Sequence, residues 1–410
     1  MHPLSRRRFL TASAALAATP LLARLFGEDK KPAADNPVPS ANSSFGCELY
    51  AKLRAEKGNV FFSPFSIETA LAMTAVGAKA NTLAQMQKVL HLPVDTDKAN
   101  VGFKSLLAAL NGNGKAADKC GFELSVANAL WGMQGYPWRK EFLTATQANF
   151  GAGLQEVDFV DEPAARKEIN SWVEKNTNKK IKDLIPSGIL DKDTRMVLTN
   201  AVYFKGKWEI EFDKKETKDG PFTLADGKKT DVPLMHRTDE IGYAEADEWQ
   251  AVDLGYKGGE TAMTVILPKK ADGLADLEKK LSADTLATVT KGLRSQKVIL
   301  TLPRFKAETK YELNDPLIAL GMKDAFTGAA DFTGMHTSPE KLFISDVLHK
   351  AFVEVNEEGT EAAAATAVVV KADAARPETP KVFKADRPFL FIIRHTPTNT
   401  VLFLGRFENP

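Results

Sequence analysis

Residues 355–371, Val-Asn-Glu-Glu-Gly-Thr-Glu-Ala-Ala-Ala-Ala-Thr-Ala-Val-Val-Val-Lys, constrain this chain more than any other stretch. Val353 and Val355 alternate as strand residues do. Gly359 and the four alanines at 362–365 carry little side-chain anchoring and little strand propensity. Successive strand residues point to opposite faces, so every second position from Thr360 falls on one side: Thr360, Ala362, Ala364, Thr366, Val368 and Val370, all small or apolar. The other side carries both charges, Glu361 and Lys371, where water can reach them. Such a segment leaves a sheet at little cost and can also enter one. Composition alone equally allows a solvated, Ala-rich linker or a short helix.

The flanking residues narrow the choice. Glu357-Glu358-Gly359-Thr360-Glu361-Ala362-Ala363-Ala364-Ala365-Thr366 resembles the hinge of the reactive-centre loop of serpins. Phe383-Lys384-Ala385-Asp386-Arg387-Pro388-Phe389 resembles the strand that follows that loop, and Phe403-Leu404-Gly405-Arg406-Phe407-Glu408-Asn409-Pro410 is similar to the serpin C-terminal signature. The resemblance covers nearly all of residues 43–410 and leaves no second domain over. It implies an α+β serpin fold: a large central, mostly antiparallel sheet, further sheets, about eight or nine helices and an exposed reactive-centre loop.

The rest of the chain is read in order. Phe45, Leu49 and Leu53 recur every fourth position, an amphipathic helix capped by Ser43 or Ser44. Val60 to Ile67 passes from a strand through Pro64 into a helix with Ser66 as cap, and Thr82 with Gln85 forms a capping box for the next helix. The bland role of Ser63 and Ser66 is capping. The resemblance implies in addition that they lie in the shutter beneath the main sheet. Gly112-Asn113-Gly114-Lys115-Ala116-Ala117 mimics a dinucleotide-binding pattern but follows a helix instead of the strand that motif requires, so it is a loop. Asn200 reads as a core amide, Trp208 as a core aromatic and His349 as a core histidine. The resemblance adds that Asn200 and His349 pair in the shutter and that Trp208 marks the breach, where loop insertion starts.

With 54 basic against 53 acidic residues the formal charge is +1, which gives no reason to expect nucleic acid or an acidic membrane as partner. Cys47 and Cys120 allow one disulfide or two free thiols and too few ligands for a metal. Ser5-Arg6-Arg7-Arg8-Phe9-Leu10 and the Ala-rich apolar run behind it fit a twin-arginine export signal. The organisation expected is an export signal at 1–23, a flexible lead-in at 24–42 and one domain at 43–410, in a protein exported to the periplasm or the extracellular space. That apolar run is too short to span a bilayer comfortably, so no membrane attachment is expected of the mature form.

No Gly-x-Ser-x-Gly elbow and no His-Glu-x-x-His helix is present, and Gly114-Lys115, Gly206-Lys207 and Gly227-Lys228 precede Ala, Trp and Lys rather than the Ser or Thr of a phosphate loop. An enzyme is not expected, nor a cofactor. The resemblance implies a monomeric inhibitor whose partner is an endopeptidase, serine or cysteine, held in a covalent complex after it attacks the loop. The alternative is a serpin-like carrier, chaperone or scaffold that inhibits nothing; the small hinge residues favour inhibition. Fourteen residues beyond Gly359, the usual spacing in the family, puts Asp373 before the cut bond and Ala374 after it, with Lys371 and Arg376 as alternatives; Pro377 makes the bond after Arg376 a poor one.

Overall fold

The structure is a computed structural model that describes residues 36–111, 122–360 and 379–410. Nine α-helices and fifteen strands lie among the described residues. The strands are β1 (Val60–Phe62), β2 (Phe122–Met133), β3 (Leu154–Val157), β4 (Met196–Lys207), β5 (Lys218–Thr223), β6 (Lys229–Glu245), β7 (Trp249–Gly255), β8 (Thr261–Pro268), β9 (Arg294–Pro303), β10 (Phe305–Glu312), β11 (Asp346–Asn356), β12 (Gly359–Thr360), β13 (Lys381–Lys384), β14 (Phe389–His395) and β15 (Thr400–Phe407). They form a nine-stranded sheet, β1-β15-β14-β8-β7-β6-β9-β13 with β5 on β6, and a six-stranded mixed sheet, β10-β11-β12-β4-β2-β3. The apolar runs 389–393 and 400–404, joined across Pro397-Thr398-Asn399, form a hairpin.

The two faces of the six-stranded sheet are covered differently. Leu198, Val202 and Phe204 of β4 belong to the large core shared with the nine-stranded sheet, where Phe61 stacks on Phe403 at 5.1 Å. Such a pair adds roughly 0.5–1.5 kcal/mol beyond its buried area. The opposite face presents Ala127, Ala129, Val197, Ala201 and Leu348 to Ala165, Ile169 and Val173 of the helix Glu162–Asn176. Small residues let that helix lie close across the sheet. Trp131 anchors it, with Nε1 donating to Thr199 Oγ1 at 2.8 Å and the ring edge-on to Trp172.

Three expected helix starts are corrected. The first helix, α1 (Val38–Leu53), begins ahead of Ser43, with Val38 and Ala41 already buried, so residues 38–42 are not a flexible lead-in. Pro39 fits the first turn because its missing N–H has no helical partner there, and Val38 N–H is held by Asn36 Oδ1 at 3.0 Å. Ser43 and Ser44 turn their hydroxyls back to Pro39 and Ser40 carbonyls. The second helix, α2 (Pro64–Ala75), is capped by Ser63 and not by Ser66: Pro64 occupies its first position, and Ser63 Oγ accepts from Ser66 N–H at 3.1 Å. Thr82 and Gln85 do not cap the helix Ala80–Val89. They accept instead from the half-buried Asp331 and Asp324 N–H groups at 2.9 and 2.8 Å, which ties the helix to the loop that follows residue 323.

Candidate functional site

The site is a seam in the six-stranded sheet. From Asp346 opposite Val197 to Phe352 opposite Tyr203, β11 and β4 pair directly and in parallel. Above that point the strands part and admit the two residues of β12. Gly359 lies opposite Asn356 and Lys207, and Thr360 opposite Val355 and Gly206, antiparallel on both sides. Only glycine fits the first place, because φ is +145° and an added Cβ would lie 2.1 Å from the Gly206 carbonyl oxygen. Thr360 is fully buried, and its hydroxyl is 2.7 Å from the Tyr256 hydroxyl.

The turn that delivers this wedge is tied down on every side. Trp208 N–H donates to the Glu358 carbonyl at 3.0 Å and Phe212 N–H to the Glu357 carbonyl at 2.9 Å. Trp208 Nε1 donates to the Asn356 carbonyl at 2.9 Å. Burial pushes the Glu357 carboxyl up, but hydrogen bonds from Arg304, whose Nε is at 2.7 Å, and from the Thr217 hydroxyl override it and hold the group below its ordinary range. Glu358 pairs with Lys214.

Lower on the seam lies a buried polar chain. His349 and Asn200 are register partners in the parallel ladder. His349 Nε2 accepts from Ser63 N–H at 3.2 Å, so the ring proton sits on Nδ1 and is donated to Asn200 Oδ1. Asn200 Nδ2 donates to Asn128 Oδ1 at 2.5 Å, Ser66 Oγ donates to the same oxygen at 2.7 Å, and Asn128 Nδ2 returns to the Ser66 carbonyl at 2.9 Å. Ser63 Oγ donates to the Leu402 carbonyl at 2.6 Å. Complete burial pushes the His349 imidazole down to about 3, so it is neutral. A neutral histidine and two amides can bind and align segments; they offer no nucleophile.

Glu357, Gly359, Thr360 and Trp208 therefore meet at the top of the seam, and Ser63, Ser66, Asn200 and His349 meet midway down it. Ala362, Ala364, Thr366, Lys371, Asp373, Ala374 and Arg376 lie outside the described residues, as do the export signal, the 112–117 loop and Cys120, and hence any pairing with Cys47. The Cys47 thiol is buried and pushed up to about 12, chiefly by that burial, which leaves it inert. Reasoning from sequence missed Asn128, Tyr256, Arg304 and Thr217. An asparagine amid Val126-Ala127-Asn128-Ala129-Leu130 is a buried-amide signal that was there to be used; the other three carry none.

A family model described as Serpin (serine protease inhibitor) matches residues 40–410. An uncharacterized serpin-like protein of Thermococcus kodakarensis is 45% identical over 378 residues, 92% of this chain and 86% of its own. The leukocyte elastase inhibitor of Bos taurus is 41% identical over 386 residues, 91% of this chain and 99% of its own. Among solved structures, Serpin48 of the insect Tenebrio molitor, described as a highly specific serpin, superposes with a TM-score of 0.82 at 32% identity, covering 92% of this chain and 99% of its own. A match across this length, with the wedge and the polar chain on one seam, makes the chain a member of the serpin family.

Proposed function

We propose that this serpin is a suicide-substrate inhibitor of an endopeptidase, serine or cysteine, acting in the periplasm or outside the cell. The observation that carries the proposal is the wedge: Gly359 and Thr360 already occupy the place of a strand between β4 and β11. The protease nucleophile attacks a carbonyl in the loop that follows, the amine of the next residue leaves, and an ester or thioester joins the two proteins. Once cut, the loop is free to lengthen β12 residue by residue down the seam, with Ala362, Ala364 and Thr366 on the buried face. Each added residue replaces water by ladder partners on both sides, each bond worth about 0.5–1.5 kcal/mol net. The tethered protease is carried along before water reaches the acyl bond. In this role Ser63, Ser66, Asn200 and His349 are the shutter that must open, and Trp208 marks the breach. The reactive bond proposed is Asp373–Ala374, with Lys371 and Arg376 as alternatives.

Trapping is a race between insertion and hydrolysis, so a change that slows insertion alone diverts the reaction to simple cleavage. Thr360→Arg puts a guanidinium where a buried hydroxyl stands, and each roughly 1.4 kcal/mol added to the insertion barrier slows it tenfold. In a denaturing gel after mixing with a susceptible protease, the parent gives a covalent complex and the variant gives cleaved inhibitor. A variant that traps as well as the parent removes the insertion mechanism. Mass spectrometry of the released fragment locates the bond. Export is tested separately: Arg6→Lys with Arg7→Lys blocks it, and unchanged export removes the twin-arginine route.

A further inference from the structure

We infer that Tyr256 is a positioning residue for loop insertion: its hydroxyl holds the Thr360 side chain and so fixes where the incoming strand begins. The inference rests on the inhibitory reading above and deepens it by naming what sets the start point.

Tyr256 directly follows β7 of the nine-stranded sheet, yet it bridges to Trp208 and is locked against the upper end of β4. Its N–H donates to the Thr261 carbonyl at 3.0 Å, Lys257 N–H donates to the Lys207 carbonyl at 2.8 Å, and Glu209 N–H donates to the Gly255 carbonyl at 2.8 Å. The ring stacks on Trp208 with centroids 4.6 Å apart and meets Phe204 edge-on at 5.0 Å. A Cβ on Gly206 would strike Tyr256 Cδ1 at 2.7 Å, so the glycine opposite Thr360 is also the one that lets the ring in. These contacts leave the ring no second orientation. Its hydroxyl is aimed from the rear of the sheet at Thr360, the second of the two residues of β12.

Both hydroxyls are fully buried and 2.7 Å apart, so each is the other's substitute for water. Burial pushes the phenol far above its ordinary range, so it remains a donor at every working pH. A residue without a hydroxyl at 360 would leave that donor stranded. The pair therefore sets both the register of the inserted strand and the side-chain class required at its first position. With the first residue already seated, the cut loop has only to propagate; without it, the loop must find its own starting register while hydrolysis competes.

The test uses the full-length exported protein and four forms: parent, Tyr256→Phe, Thr360→Val and Thr360→Ser. In the uncut protein, hydrogen exchange at the Gly359 and Thr360 amides should speed up about two- to tenfold in Tyr256→Phe and Thr360→Val, the range expected for one neutral hydrogen bond. Thr360→Ser, which keeps the hydroxyl, should restore the parent's rate. With a protease that the parent traps, inhibitor consumed per enzyme inactivated should rise by a similar factor in the first two variants and not in the third. The double variant Tyr256→Phe/Thr360→Val should be no worse than either single one. Parental exchange in Tyr256→Phe overturns the inference, and so does a parental consumption ratio. A parent that is cleaved without trapping any protease overturns the inhibitory reading instead, and the exchange rates still decide whether Tyr256 positions the hinge.

Discussion

His349 and Asn200 stand opposite one another in the β4–β11 ladder, and the hydrogen bond between them crosses the line along which a new strand would enter. Adjacent strands lie about 4.8 Å apart, so a strand inserted between them roughly doubles the separation of the two residues and breaks the bond. The pair thus belongs to the closed sheet alone. Ser63 N–H on His349 Nε2 ties the same ring to the start of α2, so opening the seam also disturbs the helix beneath it.

Removing the ring should weaken the closed form. His349→Ala leaves the Asn200 carbonyl oxygen and Ser63 N–H without that partner in a dry interior, a loss of roughly 1–3 kcal/mol. Thermal and urea melts of the uncut protein should both move down. Unchanged melts would show that water or a rearranged Asn128 replaces the imidazole at no cost.

Acid should weaken it by a different route. The folded His349 titrates near 3, whereas an unfolded histidine titrates near 6.5. Between those values the unfolded chain takes up a proton that the native ring refuses, so the contribution is complete above about pH 6.5 and is lost as pH falls toward 3. Melting temperatures of the parent and of His349→Gln, measured from pH 7.5 to 4, should converge as the pH drops. Parallel curves would mean that His349 does not control the acid limb.

Glu68 runs in the opposite sense. It is fully buried in α2, and among the described residues neither carboxyl oxygen has a hydrogen-bond partner. Burial pushes its acid far up, and the Asn42 amide opposes the shift without closing a bond of normal geometry. A carboxyl raised on folding stabilises the fold below its unfolded value, near 4.5, and that stability is lost as pH rises through the raised value, by up to about 1.4 kcal/mol per pH unit. Glu68→Gln has no proton to lose. Its melting temperature relative to the parent should climb between pH 5 and 8, and a constant difference would refute the buried acid.

Gly359→Ala should lift the wedge out of the sheet. The contacts that a methyl group would meet, Gly206 O at 2.1 Å and Lys207 Cα at 2.7 Å, are backbone atoms that cannot swing aside, and the left-handed φ adds its own strain. Hydrogen exchange at Gly206 and Lys207, the β4 partners of the wedge, should rise well above the parental rate. Parental protection there would show that the strands spread to accept the side chain.

The strands at 389–393 and 400–404 were legible in the sequence because short apolar runs on either side of a turn are a local signal, whereas Gly359 and Thr360 were placed by family resemblance. The helix starts were misread for local reasons too. Pro64 shifts the cap back to Ser63, and Pro39 allows a first turn that the fourfold apolar count from Phe45 did not reach. Tyr256, Arg304 and Thr217 were beyond reach for another reason. They lie 104, 53 and 140 positions from the hinge residues they touch, and only the pairing of two sheets brings them there. Asn200 and His349 came from family resemblance, while Asn128, which joins them to Ser66, needed the register of β2 on β4 to be seen.

The parallel seam gives heating experiments an unusual meaning. If the loop inserts as proposed, the sheet exchanges one parallel contact for two antiparallel ladders, a better-bonded arrangement, and the uncut form would then persist because the path to it is slow. Heat would then read a waiting time as well as a balance. Scanned faster, the uncut protein should hold out to higher temperature, and its shelf life should follow the height of a barrier at the β4–β11 junction rather than the depth of a well.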